Sequence, residues 1–564
     1  VAMTLNNLGF VLLDLRDFSS ARTALEEALE FERQLAAEQP VVYRPNMAMT
    51  LNNLGKLLYI MHDFSVARTI FEEALDIYRQ LAEEQPNVYL QNVSMIQNNL
   101  GMLLRDVGNF QAARTACEEA VELVEIMLCP DILLHLAKSN ISGAYGFLLA
   151  EAVAAGSIEM AYAFSVAMRD GQARSGAIGL SELQATQAWL KHQSEQDGIS
   201  YRILVANSAS GDQLVLGIID QTDCRFISLQ SEAWVTLFPS DKIIENHQTR
   251  RQLARELWQS LPDAFQAALA PAQDNKQFVA ISGDSVWSAF PWELLRFGEG
   301  VEDYLGLHHA LPRLGAIQEK DLLSQLSLSE LGQGSGQITI LAPFDTRFPP
   351  LTRVIDEIES VKQAVEARGG IVVSYAKGSE ASDLEIERQL SLQSDIFYYS
   401  GHGTIVHEEE LLVLHRDMSA QNALTSVAYF GKEHLIRLAK QRDDQMFPQH
   451  PIIVLNSCVI GRTRQAGGAR EDLISTFLAL GASAVIATAL PIDDVVGKAL
   501  GEALFDPKIA QTRDLASVVV GTRRRLAMEL CADVDSSSWG AWGMIHLHGN
   551  ARATLPFNPT PGEQ

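Results

Sequence analysis

Two residues in the C-terminal half carry side chains and surroundings suited to nucleophilic catalysis. His402 stands between glycines in Tyr398-Tyr399-Ser400-Gly401-His402-Gly403-Thr404, after an apolar run that reads as a strand. Cys458 follows another such run in Leu455-Asn456-Ser457-Cys458-Val459-Ile460-Gly461. A thiol becomes a strong nucleophile when an adjacent base takes its proton, and imidazole can do this near neutral pH. Cys458 is therefore expected to attack a peptide carbonyl, with His402 as the base that activates it and then protonates the leaving amine. Glycine beside His402 lets the backbone come close to a substrate. The plainer alternatives are a buried inert thiol and a core histidine, and the pairing of the two motifs favours chemistry over both. His407, His415 and His434 lack such company and read as surface or core residues. Cys117, Cys129, Cys224 and Cys531 read as structural.

The elements that must position this pair alternate between strand and helix. From about Tyr201, short β-branched runs appear at Ile203–Ala206, Gln213–Ile219 and Phe278–Ser282. A second series begins at Gln337, with strands expected at Ile338–Leu341, Ile371–Tyr375, Ile396–Tyr399, Leu411–His415, Ile452–Asn456 and Ala484–Thr488. Helices are expected at Leu351–Ala367, Glu380–Leu392 and Glu471–Leu480. Such alternation implies a mainly parallel sheet covered on both faces, with its active site beyond the carboxyl ends of the strands. The stretch Thr404–Gln449 and the turn Ala466-Gly467-Gly468 read as mobile loops beside that site.

The N-terminal third is a repeat. Ala2–Gly9 and Ala48–Gly55 share the same eight residues, Ser94–Gly101 ends alike, and Leu8, Leu54 and Leu100 are 46 residues apart. A second helix follows each, starting near Asp17, Asp63 and Asn109. A degenerate fourth unit runs through Tyr145, Gly156 and Ala161. Small residues (Gly9, Ala21; Gly55, Ala67; Gly101, Ala113) fall where paired helices must approach closely. The pattern resembles tetratricopeptide repeats, whose usual period is about 34 residues; the extra length at Glu38 and Glu84 implies longer helices or an extended connection. Such stacks present a curved surface suited to a peptide or partner protein, the alternative being a spacer or oligomerisation element.

The order His402 before Cys458 and their 56-residue separation are close to the caspase arrangement, in which the interval is roughly 50. The closer resemblance is to the CHAT family, caspase-like domains commonly joined to tetratricopeptide repeats. It is carried by Gly401-His402-Gly403, Asn456-Ser457-Cys458, Phe290-Pro291-Trp292-Glu293-Leu294-Leu295, and Trp539-Gly540-Ala541-Trp542 leading to Gly549. Val459-Ile460 depart from the polar residues usual after the cysteine. The resemblance implies an oxyanion hole from the backbone N–H groups of Gly403 and Cys458. It also implies a charged specificity pocket, for which Asp345 and Asp494 are candidates that would select Arg or Lys; helix capping is the alternative for Asp493 and Asp494.

Composition bounds the rest. A chain of 564 residues exceeds one core, and its net charge of −26 disfavours a grip on nucleic acid or anionic membrane. The basic run Arg523-Arg524-Arg525 reads as a solvated helix face. Five dispersed cysteines without C-x-x-C spacing imply neither a disulfide framework nor a zinc site, and a reducing cytoplasm fits. No cofactor or metal is expected. The uncharged stretch Leu473–Leu490 reads as a buried helix followed by a strand rather than a membrane span. The chain starts at Val1 inside a repeat, as a fragment or processed product would.

The expected fold is thus an α-helical repeat solenoid followed by an α/β caspase-like domain. The expected division is repeats over 1–170, a helical linker over 171–199, a non-catalytic half over 200–335 and a catalytic half over 336–564. The expected function is a regulated cysteine endopeptidase acting on a protein substrate. A regulatory protein docked on the repeats would order the site, and the resemblance implies a role in bacterial defence or programmed cell death through a pore-forming or signalling protein. The competing readings are a catalytically silent scaffold and an acyltransferase or thioesterase, the last without a cofactor motif to support it.

Overall fold

The computed structural model describes residues 1–125, 141–170, 176–197, 199–207, 213–230, 234, 247–271, 277–283, 290–300, 302–314, 336–343, 351–392, 394–406, 409–414, 428–442, 446–457, 473–489, 494–509, 514–530 and 541–556. The repeat region folds as antiparallel helix pairs: α1 (Ala2–Asp14), α2 (Phe18–Glu38), α3 (Pro40–Ile60), α4 (Phe64–Glu84), α5 (Pro86–Asp106), α6 (Phe110–Glu125), α7 (Ser142–Ala154) and α8 (Ile158–Asp170). The extra residues per unit are longer helices. The connections reduce to Gln39 and Gln85, each followed by a proline at the first helical position, where the missing N–H costs nothing.

The small residues do what their spacing implies. A Cβ on Gly55 would stand 2.6 Å from the Phe71 ring, and one on Gly101 would stand 2.6 Å from the Cys117 sulfur. Units are also linked by a ladder of amides at the repeat period. Asn53 Nδ2 donates to Asn6 Oδ1 at 2.9 Å, Asn99 Nδ2 donates to Asn52 Oδ1 at 2.8 Å, and Asn98 Oδ1 accepts from the Ala144 N–H at 2.8 Å.

A helix α9 (Gly176–Asp197) leads into a four-stranded sheet of order β3-β2-β1-β4, formed by β1 (Ile199–Asn207), β2 (Gln213–Ile219), β3 (Cys224–Gln230) and β4 (Gln277–Gly283). Only the β1–β4 pair is parallel. Helix α9 lies against this sheet, with Trp189 edge-on to Phe278 at 5.5 Å. The opposite face packs on α10 (His247–Ser260) and α11 (Asp263–Leu269) through Trp258 and Phe265.

The second sheet has six strands in the order β13-β12-β11-β7-β5-β6, with β5 (Gln337–Pro343), β6 (Ile371–Gly378), β7 (Ile396–Ser400), β11 (Ile452–Asn456), β12 (Ala484–Thr488) and β13 (Ile545–Gly549). It is parallel except for β13. Alternation along the strands divides the core. Ile396, Tyr398 and Val454 face α12 (Val354–Ala367), α16 (Asp494–Leu504) and α17 (Leu515–Leu530). Phe397, Tyr399 and Leu455 face α13 (Asp383–Ser391), α14 (Lys432–Lys440) and α15 (Leu473–Ala479). The uncharged stretch from Leu473 is helix α15 followed by strand β12, as its interruptions imply, and among the described residues no helix is long and apolar enough to cross a membrane.

Two expectations require correction. The strand near Leu411 is not in the main sheet, and much of Thr404–Gln449 is not loop. β8 (Gly403–Val406), β9 (Glu409–Leu414) and β10 (Ala428–Phe430) form a separate antiparallel sheet, with α14 following. The acidic run Glu408-Glu409-Glu410 obscures an apolar face of Leu412, Leu414 and Phe430 that is buried with Tyr399.

Arg313 lies at the seam of the two larger sheets, bridging to Ile281 of β4 on one side and His548 of β13 on the other.

Candidate active site

The site is built where β7 and β11 end. These strands are parallel neighbours with Ile396 opposite Ile452 and Ser400 opposite Asn456, and the Gly401 N–H donates to the Asn456 carbonyl at 3.2 Å. His402 follows, half-buried, with its backbone fixed twice. Its carbonyl accepts from the Tyr399 hydroxyl at 2.7 Å and from the Val413 N–H at 2.9 Å, so the turn is tied to the β8–β9 hairpin. Gly401 is needed for this packing: an added Cβ would lie 2.8 Å from the Tyr399 Oη and 3.3 Å from Pro343. That close approach is to the protein's own tyrosine, a role the G-H-G pattern did not reveal. Gly403 begins β8, opposite Leu412.

On the neighbouring strand, Ser457 is buried and its carbonyl accepts from the Thr488 hydroxyl. Cys458 lies outside the described residues, as do Asp345 and Asp493. Asp494 is the first residue of α16, and its Oδ2 accepts from the Thr352 hydroxyl at 2.9 Å and the Arg353 N–H at 2.7 Å. It therefore caps the start of α12 while standing in the first turn of its own helix.

Beneath the strand ends lies a polar cluster that sequence reasoning missed. Glu357, 1% exposed on α12, accepts through Oε1 from the Tyr398 hydroxyl at 2.6 Å and from Asn456 Nδ2 at 2.8 Å. Asn456 Nδ2 also donates to the Gly497 carbonyl of α16 at 2.8 Å. Burial pushes the Glu357 carboxyl up to about 7 against the pull of these donors, with Asp494 adding a small upward push. The available signal was a carboxylate within the apolar stripe Val354, Ile358, Val361 and Val365, where helical spacing predicts a core position.

The role of the P-W-E segment also emerges from packing. Glu293 is fully buried and receives both arms of Arg313, at 2.6 and 2.8 Å, and Arg523 Nη2 at 2.9 Å. Arg523 further donates to the carbonyls of His309, Ala310 and Ile545. This corrects the reading of Arg523-Arg524-Arg525 as a solvated face: Arg523 is fully buried, and Arg524 donates to the Leu307 carbonyl. Burial lowers the Arg523 pKa to about 10 despite Glu293 beside it.

Among the described residues no group of His, Cys, Asp or Glu could hold a metal ion. A CHAT domain family model matches residues 251–550, more than half of the chain, over the elements that carry these sites. The chain belongs to the CHAT-domain family. Tetratricopeptide repeat models match residues 1–80 and 93–128, so the CHAT domain follows a tetratricopeptide array.

Among solved structures, the CHAT-domain chain is similar to the Arg-specific cysteine proteinase gingipain R, at 12% identity and TM-score 0.32 over 56% of this chain and 68% of that one. It is also similar to separase in the Saccharomyces cerevisiae separase–securin complex, at 11% identity and TM-score 0.46 over 97% of this chain. The match spans about half of that separase chain, 48%. No curated protein matches.

Proposed function

We propose that this repeat-bearing CHAT protein is a cysteine endopeptidase in which Cys458 attacks a peptide carbonyl and His402 moves the proton. One observation carries the reading: Ser400 and Asn456 are opposite each other on adjacent parallel strands, and His402 and Cys458 each come two residues later in the chain. Adjacent strands run about 4.8 Å apart, a span that side chains at two strand ends can bridge.

In acylation the sulfur–carbon bond forms as His402 takes the thiol proton, and that proton passes to the amine as the carbon–nitrogen bond breaks. Water then attacks the thioester through the same base, and the thiol is regenerated. The N–H groups of Gly403 and Cys458 are assigned to the oxyanion. Asp345 and Asp494 are assigned to a pocket for Arg or Lys, and both bonds to Asp494 fall on Oδ2. The working division keeps repeats to 170, a linker helix to 199, a non-catalytic half to 335 and the catalytic half beyond. The repeats are assigned to a regulatory protein whose docking controls cleavage, in a defence or cell-death setting.

The test is incubation with a proteome, wild type beside Cys458→Ala and His402→Ala, with and without candidate partners, followed by mapping of new termini. New termini that vanish in both variants and follow Arg or Lys are expected. Termini unchanged in Cys458→Ala would overturn the peptidase reading and leave a binding scaffold.

A further inference from the structure

We propose that Glu357 is a positioning residue whose carboxyl, bonded to Tyr398 and Asn456, holds the ends of β7 and β11 in the register that presents His402 to the residue after Ser457. The proposal rests on the dyad reading above and deepens it, since it names what aligns the two strand ends.

Three elements meet at this carboxyl. Tyr398 stands four residues before His402 on β7, Asn456 is the last residue of β11, and Glu357 comes from α12 beneath both. Tyr398 and Asn456 also touch each other, with Asn456 Nδ2 3.3 Å from the Tyr398 hydroxyl. A fourth element closes the cluster. Gly497 of α16 accepts the other Asn456 amide proton, and a Cβ on Gly501 would lie 2.5 Å from the Tyr398 Oη and 2.9 Å from Glu357 Cγ. α16 thus sits on the carboxyl with no side chain intervening at Gly501.

The chemistry of the cluster argues for alignment rather than for mere filling. An apolar residue at 357 would satisfy the neighbouring Val354, Ile358 and Val361, whereas a buried carboxyl must be compensated by donors. Here both donors come from the two strands that leave for the site, one from each. A shift of β11 by a single residue would send Asn456 to the opposite face and break its bond to Glu357, and a shift of β7 would do the same to Tyr398, because side chains alternate along a strand. The cluster therefore penalises the misregistration that would separate the two strand ends. Asn456 Oδ1, within the cluster, and Ser457 Oγ, one residue on, are buried without a hydrogen-bond partner among the described residues.

The test does not need the natural substrate. Iodoacetamide is the probe, and the alkylation rate at Cys458 is read by peptide mass spectrometry from pH 5 to 9 in the full chain. The variants are wild type, His402→Ala, Glu357→Leu, Glu357→Gln and Tyr398→Phe, with folding checked by circular dichroism. In wild type a fast limb at low pH, lost in His402→Ala, is expected and reports the dyad. Glu357→Leu is expected to slow that limb at least tenfold, Tyr398→Phe to slow it less, and Glu357→Gln, which keeps the acceptor oxygen, to recover it to within about threefold. If Glu357→Leu does not fold, Tyr398→Phe decides alone: a slower limb supports alignment and an unchanged one overturns it. A folded Glu357→Leu with the wild-type profile overturns the proposal while leaving the dyad intact. A wild-type profile that His402→Ala leaves unchanged overturns the dyad itself.

Discussion

The backbone N–H of Gly401 donates to the carbonyl of Asn456, carrying the pairing of β7 and β11 one residue past their last registered partners. The turn to His402 therefore starts from a fixed point. Gly401→Ala would force a Cβ to within 2.8 Å of the Tyr399 hydroxyl that holds the His402 carbonyl. Displacements of about 1 Å near reacting groups can cost on the order of 100-fold. Proteolysis dependent on Cys458 is expected to fall by about 10- to 100-fold in Gly401→Ala. The double variant with Tyr399→Phe should recover part of it, by making space without restoring the bond.

Glu357 makes stability depend on pH. Its folded pKa is raised to about 7 by burial, so folding favours the protonated carboxyl. This contribution is fully present below the ordinary carboxylate pKa and is lost as pH rises through about 7, by roughly 3 kcal/mol in all. Urea melts from pH 4.5 to 8 should show stability falling with pH in wild type, and Glu357→Gln should flatten that fall. Parallel curves for the two proteins would contradict the assignment.

Glu293 is the carboxylate shared by two buried guanidinium groups. Removing it in Glu293→Ala leaves Arg313 and Arg523 charged and unmatched, at a cost of about 3 to 5 kcal/mol. The CHAT domain should melt much earlier, whereas the tetratricopeptide helices should keep their own transition. Loss of both transitions together would show that the two regions unfold as one unit.

Gly55 has no room for a methyl group, because Phe71 of the paired helix lies across it. Gly55→Ala is expected to destabilise the array by about 1 to 3 kcal/mol. Adding Phe71→Leu should return part of that in thermal melts. An unperturbed single variant would mean that the helices can separate at no cost.

Burial pushes the thiols of Cys117 and Cys224 up to about 12. Neither should react with iodoacetamide at pH 8 in the native protein, and both should react after unfolding in urea. Native labelling of either would contradict their structural role.

What could be read from the sequence followed from periodicity. The repeated N-N-L-G segments, the glycines opposite paired helices and the apolar runs of β7, β11 and β12 each have a local pattern that determines the element. The order of strands in space has no such local signal, and neither does the hairpin hidden under Glu408-Glu409-Glu410. Glu357 and Arg523 were harder still. A charged residue looks like surface until the partners are known, and Glu293, which pairs with Arg523, lies 230 residues away. Asp494 shows the same limit, since its bonds to Thr352 and Arg353 span more than 140 residues.

The Arg313 bridge also sets the assembly options of the molecule. The Ile281 N–H donates to the Pro312 carbonyl, the Leu314 N–H to the Ile281 carbonyl, the Arg313 N–H to the Leu547 carbonyl and the Gly549 N–H to the Arg313 carbonyl. Those bonds occupy the facing margins of β4 and β13, so a strand from a second copy finds no vacancy there. Among the described strands of the two large sheets, β3 and β6 form the outer margins. Strand addition to either large sheet would therefore begin at β3 or β6, the margins opposite the seam where the two sheets already complete each other.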